Sequence, residues 1–344
     1  MNSEKIQEIV EKYKLPAFRA KQLRTSFFEE YSNSFEDVTT LKKDLRDTLA
    51  KEEQVLTTKL FKMFKSSDGR CFKAVMELHD GRYVETVLMS PKPGHWTTCI
   101  SSQVGCALAC TFCATGTMGL LRNLTSEEIS DQVLFWKQFI KEQKYDFSLS
   151  NVVYMGMGEP LHNKKEVFAS IRELTNPDTF NMGSRHISVS TSGMVKAVYE
   201  LADEFPQVNL ALSLHAANDT LRTKLMPINK RWNLESLTET LNDYLAKTKR
   251  KIFIEYILLD GENDSLLHAD ELATYLKTVQ PSYLLHTNLI VYNKTDSEHE
   301  QSSKDNAKRF KERLEKRGVS ATIRKNLGRD IDGACGQLVV QGQK

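Results

Sequence analysis

Three cysteines, Cys106, Cys110 and Cys113, stand in a C-x3-C-x2-C array within the stretch CISSQVGCALACTFCATGTMG, residues Cys99 to Gly119. A thiolate loop of this spacing can ligate three irons of a cubane cluster. Such clusters ordinarily take four cysteines, so the fourth iron is left open to a small molecule. Phe112, just before the third cysteine, offers an aromatic ring to shield the cluster from water. The competing reading is a structural zinc site whose fourth ligand is Cys99, Cys71 or a histidine. A disulfide framework does not suit a chain of this length without a secretory signal. Half of the six cysteines fall within eight positions, which argues against chance use as small buried hydrophobes.

Further groups with chemistry lie elsewhere. Met155–Pro160 reads MGMGEP, where glycines allow close backbone approach to a ligand and Glu159 offers an acceptor for an amine. A plain strand-to-helix turn accounts for it equally well. Ser190 sits in STSG, Ser213, Leu214 and His215 in SLH, and Asn293 follows an apolar run. His215 alone reads as a satisfied core histidine, and Glu85 alone as a solvated strand carboxylate. Cys335, in DIDGACGQL, reads alone as an inert buried cysteine. Its neighbours Gly333, Ala334 and Gly336 are small enough for a close substrate approach.

The elements that position these residues follow from periodicity. Residues 3–50 predict a helical unit, with Ile6, Ile9, Val10 and Tyr13 on one face. Pro16 opens a second helix that buries Leu23, Phe27 and Phe28, and a third carries Leu41, Leu45 and Leu49. Residues 55–90 change to strand formers broken at Ser67-Asp68-Gly69 and His79-Asp80-Gly81, which predicts a three-stranded meander containing Glu85. From Thr97 strand and helix alternate. Strands are expected at 97–100, 151–155, 186–191, 208–214, 251–258, 286–292 and 320–324, and Thr125-Ser-Glu-Glu128 reads as a capping box. Six to seven such units predict an α/β fold, a partial (β/α)6-type barrel with its site at the C-terminal strand ends. The expected divisions are a helical accessory domain at 1–52, a β-meander extension at 53–96 and the barrel core at 97–344.

Composition adds little. Forty-seven Lys and Arg stand against forty-five acids, a net charge of +2, so any nucleic-acid face must come from local clustering. The basic runs Lys247–Lys251 and Lys308–Arg317 are candidates, and solvated helix faces otherwise. No apolar run is long enough to span a membrane. The N-terminal stretch is charged and lacks an apolar h-region, so a cytoplasmic location with reduced thiols is expected.

The cysteine array with its preceding aromatic resembles the signature of radical S-adenosylmethionine (SAM) enzymes. The segments SSQVGC, FCATGTMGLLRNL, MGMGEPL, STSG, SLHA, LMPIN and DIDGACGQL resemble the RlmN/Cfr family of RNA adenosine methyltransferases, from about Phe18 to Leu338. That resemblance implies one 4Fe–4S cluster held by Cys106, Cys110 and Cys113, with SAM on the open iron and two SAM consumed per turnover. It implies SAM contacts from Gly158, Glu159, Ser190, Ser213, Leu214, His215 and Asn293. It implies that Cys335 carries the methyl group on sulfur, that Glu85 accepts the ring proton, and that Cys99 resolves the covalent RNA adduct through a transient disulfide with Cys335. Cys71 matches no family role and reads as strand packing. The implied substrate is an adenosine of 23S rRNA in the peptidyl transferase region, with the tRNA adenosine beside the anticodon as a second one. A reducing donor such as flavodoxin or ferredoxin is implied, acting on a monomer. GMGEP and RKNLGRDID favour carbon 2 as the methylated position, the RlmN reaction. Cys113-Ala-Thr-Gly116 and NLTSEEISDQVLFW lean toward Cfr, which methylates carbon 8 and confers ribosome-antibiotic resistance. Gly333 departs from the alanine usual in both groups. A radical SAM enzyme acting on a protein or small molecule, and a zinc-stabilised RNA-binding module, are the readings outside this family. The first requires neither Cys99 nor Cys335, and metal analysis with the colour of anaerobically purified protein distinguishes the second.

Overall fold

The computed structural model describes residues 1–339. Three helices open the chain, α1 (Ser3–Lys12), α2 (Phe18–Arg24) and α3 (Lys43–Glu52). Ile6, Ile9 and Val10 of α1 are buried as their spacing predicts. Pro16 lies before α2 rather than inside it, and Phe27 and Phe28 belong to a π-helical turn, Thr25–Glu29, that continues α2. Four antiparallel strands follow: β1 (Lys59–Lys65), β2 (Cys71–Glu77), β3 (Tyr83–Lys92) and β4 (His95–Cys99).

A small clasp comes next, β5 (Gln103–Gly105) pairing with β6 (Leu120–Asn123) around a short helix α4 (Ala114–Thr117). The alternating part then runs α5 (Ser126–Glu142), β7 (Leu149–Tyr154), α6 (Lys164–Thr175), β8 (Ile187–Thr191), α7 (Val195–Glu204), β9 (Asn209–Ser213), α8 (Asp219–Leu225) and α9 (Leu234–Thr248). It ends with β10 (Ile252–Leu258), α10 (Leu266–Leu276), β11 (Leu285–Val291), α11 (Lys304–Lys316) and β12 (Ala321–Ile323). Thr125 and Glu128 form the expected capping box at the start of α5.

The strands make one ten-stranded sheet in the order β1-β2-β3-β4-β7-β8-β9-β10-β11-β12. From β4 onward every neighbour is parallel. Parallel strands need helical crossovers, which bury both faces and explain the near-continuous apolar runs. The sheet does not close, since β1 and β12 are its edges. It nevertheless curls: Met155, just after β7, comes within 3.9 Å of Arg324, just after β12. A flat sheet would hold those strands about 24 Å apart across five strand spacings. The meander is continuous with the barrel sheet, and one hydrophobic cluster takes residues from the helical cap, meander and barrel alike. All seven parallel strands present their C-terminal ends to the same side, as the crossover topology requires.

Candidate active site at the barrel mouth

The cysteine loop is built by the clasp. Gly105 has φ +76, and a Cβ there would lie 1.8 Å from the Gly119 carbonyl oxygen, so only glycine lets β5 and β6 close. Cys106 N–H then donates to that same carbonyl at 2.9 Å. Cys113 N–H turns back to the Cys110 carbonyl at 3.2 Å, and Thr111 N–H ties the loop to the Leu225 carbonyl at 3.0 Å. His299, itself paired with Glu262, meets the Thr111 hydroxyl at 2.8 Å. Phe112 packs edge-on against His215, ring centroids 4.9 Å apart, within an apolar group that includes Leu225, Met226, Ile257 and Tyr292.

Cys106, Cys110 and Cys113 all line one cavity at the strand ends. Burial pushes the Cys106 thiol up to about 12 and the Cys110 thiol well above its ordinary value, with neighbouring thiols adding to the effect. Three thiolates here therefore call for a cationic partner, which suits a cluster. Among the described residues no three His, Cys, Asp or Glu side chains stand ready-made around a single metal ion. The sulfurs share a cavity without converging on one point.

The same cavity is lined by Gly158, Glu159, Ser190, Ser213 and His215, five of the predicted SAM contacts, brought together from three successive strand ends. Gly158 has φ +99 and lies so near Gln103 that a Cβ would stand 2.6 Å from the glutamine Cβ. Glu159 is buried. Its carboxylate accepts from Leu161 N–H (3.1 Å) and Ser192 N–H (2.8 Å), while burial pushes it above the usual carboxylate range. His215 Nδ1 accepts from Ile257 N–H at 3.1 Å, so Nε2 carries the proton. Burial, aided by the Arg222 guanidinium, lowers its pKa to about 3 and keeps it neutral. The residue sits at φ +61, a strained position for a β-substituted side chain.

Two predicted contacts are placed differently. Leu214 does not line the cavity; its N–H donates to Glu255 O (3.0 Å) and its carbonyl accepts from Arg222 Nε (3.1 Å). Asn293 also stands back from the cavity wall and donates to the Cys335 carbonyl at 3.2 Å. Its Oδ1 is buried with no partner among the described residues, an acceptor left over for a ligand.

Cys335 faces the cluster cavity and also a second one, where it meets Cys99, Met89, Ala334 and Leu327. All six cysteines are free, so no disulfide joins Cys99 and Cys335 in the structure. Burial, with Cys335 beside it, pushes the Cys99 thiol up to about 12, and Arg324 pulls in the opposite direction. Cys71 is buried in β2 against Gly328, as packing rather than chemistry.

Glu85 is on the inner face of β3 but not in either cavity. It lines a groove with Phe61, Phe64, Lys73, Lys294, Gln337 and Val339. Its Oε1 pairs with Lys73 Nζ at 3.0 Å and its Oε2 accepts from Val339 N–H at 2.9 Å. Burial raises its pKa and Lys73 partly offsets that. Residues 335–339 form the wall between the spaces: Cys335, Gly336 and Leu338 face the cluster cavity, Gln337 and Val339 the Glu85 groove.

Three residues that shape the site have no signal in the sequence. Lys73 is an isolated lysine in a strand. Arg222 is fully buried and donates to the carbonyls of Ser192, Ser213 and Leu214, locking two strand ends. Arg324, beside both cysteine-lined cavities, pairs with Glu255 at 3.1 Å, and Glu255 also accepts from Asn288 at 2.8 Å.

Residues 100–273 match the radical SAM superfamily. Over 330 residues (96% of this chain, 89% of the relative) the sequence is 41% identical to a Halalkalibacterium halodurans protein named "Probable dual-specificity RNA methyltransferase RlmN". It is 39% identical over 341 residues (98% and 97%) to the "Ribosomal RNA large subunit methyltransferase Cfr" of Clostridium botulinum. The crystal structure of a radical SAM methyltransferase from Sphaerobacter thermophilus superposes with a TM-score of 0.91 at 38% identity, covering 98% of this chain and 97% of that one. Fold, site and relatives agree: the chain belongs to the RlmN/Cfr family of radical SAM methyltransferases.

Proposed function

We propose that this protein methylates carbon 2 of an adenosine in 23S rRNA, and of the tRNA adenosine beside the anticodon, by way of a methyl group carried on Cys335. The observation that carries the reading is the position of Cys335, between the cavity of the three-cysteine loop and the cavity it shares with Cys99. Relatives named RlmN reach 41–42% identity, against 39% for Cfr, which supports carbon 2 over carbon 8.

In this reading Cys106, Cys110 and Cys113 hold one 4Fe–4S cluster. Gly158, Glu159, Ser190, Ser213 and His215 hold SAM, with Asn293 Oδ1 as a further acceptor. Together these groups supply a methyl cation equivalent for a thiolate and, on one-electron reduction by a donor such as a flavodoxin or ferredoxin, a radical able to take a hydrogen atom. Glu159 accepts from the amino group of SAM, and neutral His215 donates from Nε2. Phe112 keeps water from the loop. Cys335 sulfur, as the thiolate that acts as nucleophile, attacks the methyl carbon of SAM, S-adenosylhomocysteine being the leaving group, and presents the methyl group to the ring.

Adenine carbon 2 is electron-poor, so a carbon-centred attack from the S-methyl group is needed in place of polar transfer to the ring. Glu85, as carboxylate, takes the ring proton that the new C–C bond makes surplus. Cys99 thiolate then attacks Cys335 sulfur: the S–S bond forms, the bond from Cys335 sulfur to the transferred carbon breaks, the unpaired electron left by radical addition would return to the cluster, the CH2 carbon takes up a proton to become CH3, and methylated RNA leaves. Glu85 and Cys335 stand on opposite sides of the 335–339 wall, so both reach one ring only when the bond from Val339 to Glu85 opens.

The test is peptide mass spectrometry of anaerobically purified protein. Wild-type protein is expected to carry one methyl group on Cys335, and Cys99→Ala to retain RNA covalently through the same residue. An unmodified Cys335 in protein with a loaded cluster, together with no adduct in Cys99→Ala, would contradict the reading.

A further inference from the structure

We propose that the edge strand β1, with the groove it shares with Glu85, holds the single-stranded RNA that flanks the target adenosine. The inference rests on the RNA methyl-transfer reading above. It names a surface that the cysteine chemistry does not require.

β1 reads KLFKMFK and is the outermost strand of the sheet. Edge strands are commonly guarded by lysines against pairing with other chains, and Lys59, Lys62 and Lys65 fit that role. Guarding does not account for the apolar residues between them. Phe61 is 61% exposed at the bulge of β1, on the side of the Glu85 groove, whereas Leu60 turns to a separate groove beside the helical cap. Solvent-facing apolar groups of this size, rimmed by charge, mark contact surfaces.

Rings and cations interleave along the strand. Phe61 leans on Tyr83, centroids 4.9 Å apart, which props the ring upright. Lys62 Nζ lies 4.8 Å from the Phe64 ring centre and Lys73 Nζ lies 5.0 Å from it. Phe61, Lys62, Phe64 and Lys294 line the same groove as Glu85, with Asp296 and Asp332 as its other acids. A strand laid along β1 therefore leads to the proposed proton acceptor.

Only half of the cations in the basic runs that stand out in the sequence are neutralised by acids, and none of those runs carries an exposed aromatic ring beside its cations. Lys247 pairs with Asp203, Lys308 with Glu312, Lys311 with Glu315, and Arg313 and Arg317 with Asp270. Among the described residues Lys59, Lys62 and Lys65 form no ion pair. Unneutralised cations beside an exposed ring suit a polyanion with stackable faces, which is single-stranded nucleic acid. A duplex is recognised by shape and backbone and has no use for the ring. A protein partner would bury Phe61 without strong dependence on salt.

The test uses anaerobically purified, cluster-loaded protein and a short fluorescein-labelled RNA with one central adenosine, alone or annealed to its complement. Anisotropy is read across a salt series. Phe61→Ala is expected to weaken single-strand binding about tenfold, and Phe61→Trp to restore it. The triple variant Lys59→Ala, Lys62→Ala, Lys65→Ala is expected to lower the slope of log affinity against log salt by about 2. SAM cleavage without RNA should match wild type in all of them, since none of these residues lines the SAM cavity. Wild-type single-strand affinity and salt slope in Phe61→Ala and the triple variant would overturn the proposal. So would equal losses on single strand and duplex, or binding indifferent to salt. Failure of the underlying reading is seen separately, as absence of methyladenosine from RNA treated with wild-type protein.

Discussion

Replacing Lys73 by methionine removes the positive partner of a carboxylate that is only 3% exposed. Lys73 and Glu85 are diagonal neighbours on one face of β2 and β3, with Nζ to Oε1 at 3.0 Å. Breaking a buried pair by taking one partner costs about 3–5 kcal/mol. Glu85 has an escape, because it can take up a proton. Holding a proton at pH 7 on a group whose ordinary value is 4.5 costs about 3.4 kcal/mol, and at pH 5 about 0.7 kcal/mol. In the variant the folded-state pKa of Glu85 rises further above its unfolded value. The penalty relative to wild type is therefore absent below the wild-type folded-state value, which burial already holds above 4.5, grows as pH rises past it, and levels off once pH passes the further raised value of the variant. Lost contacts to the Asp332 carbonyl and the Phe64 ring add a smaller cost that does not vary with pH. Denaturant unfolding followed by circular dichroism at pH 5 and pH 7 should give a destabilisation larger at pH 7, by at most about 2.7 kcal/mol. The double variant Lys73→Met with Glu85→Gln, which leaves no charge, should lose that pH dependence. A destabilisation equal at both pH values, or a double variant with the same pH dependence as the single one, would refute the reasoning.

Two further outcomes follow from the cavity. Gly158→Ala must place a Cβ at φ +99 and 2.6 Å from Gln103, so SAM affinity by equilibrium dialysis should fall about tenfold or more while the circular dichroism spectrum is unchanged. His215 has its pKa lowered to about 3, so protonation, and any loss of binding it causes, is confined to pH near 3 and below. Its imidazole signals in NMR should stay constant between pH 5 and pH 8; a titration near 6.5 would contradict the neutral, Nε2-protonated assignment.

Much of this architecture is legible in the chain because parallel strands leave long apolar runs and helices announce their starts. Thr125 and Glu128 marked α5, and the strand ends at Ser190, Ser213 and Asn293 fell within a residue or two of their observed places. The cysteine loop was legible from spacing alone. Lys73 was not, because a lone lysine in a strand looks solvated until β3 brings Glu85 across from it. The Arg324–Glu255 pair was hidden for the same reason, its members lying far apart in sequence, and Arg222 because its partners are mainly backbone carbonyls, which carry no residue-type signal. The basic helix runs look more highly charged in sequence than in the fold, where Lys247, Lys308, Lys311, Arg313 and Arg317 each meet an acid that the sequence does not place beside them. Pro16 and the π-helical turn at Thr25–Glu29 show how local signals shift by a turn when packing decides the register.

The central claim is that Cys335 delivers a methyl group to carbon 2 of an RNA adenosine. The direct measurement is nuclease digestion and mass spectrometry of rRNA and tRNA from a bacterial strain lacking its own adenosine carbon-2 methyltransferase and expressing this protein, against 2-methyl- and 8-methyladenosine standards. The account predicts 2-methyladenosine with the wild-type chain and none with Cys335→Ala. An 8-methyladenosine signal, or 2-methyladenosine that persists in Cys335→Ala, would contradict it.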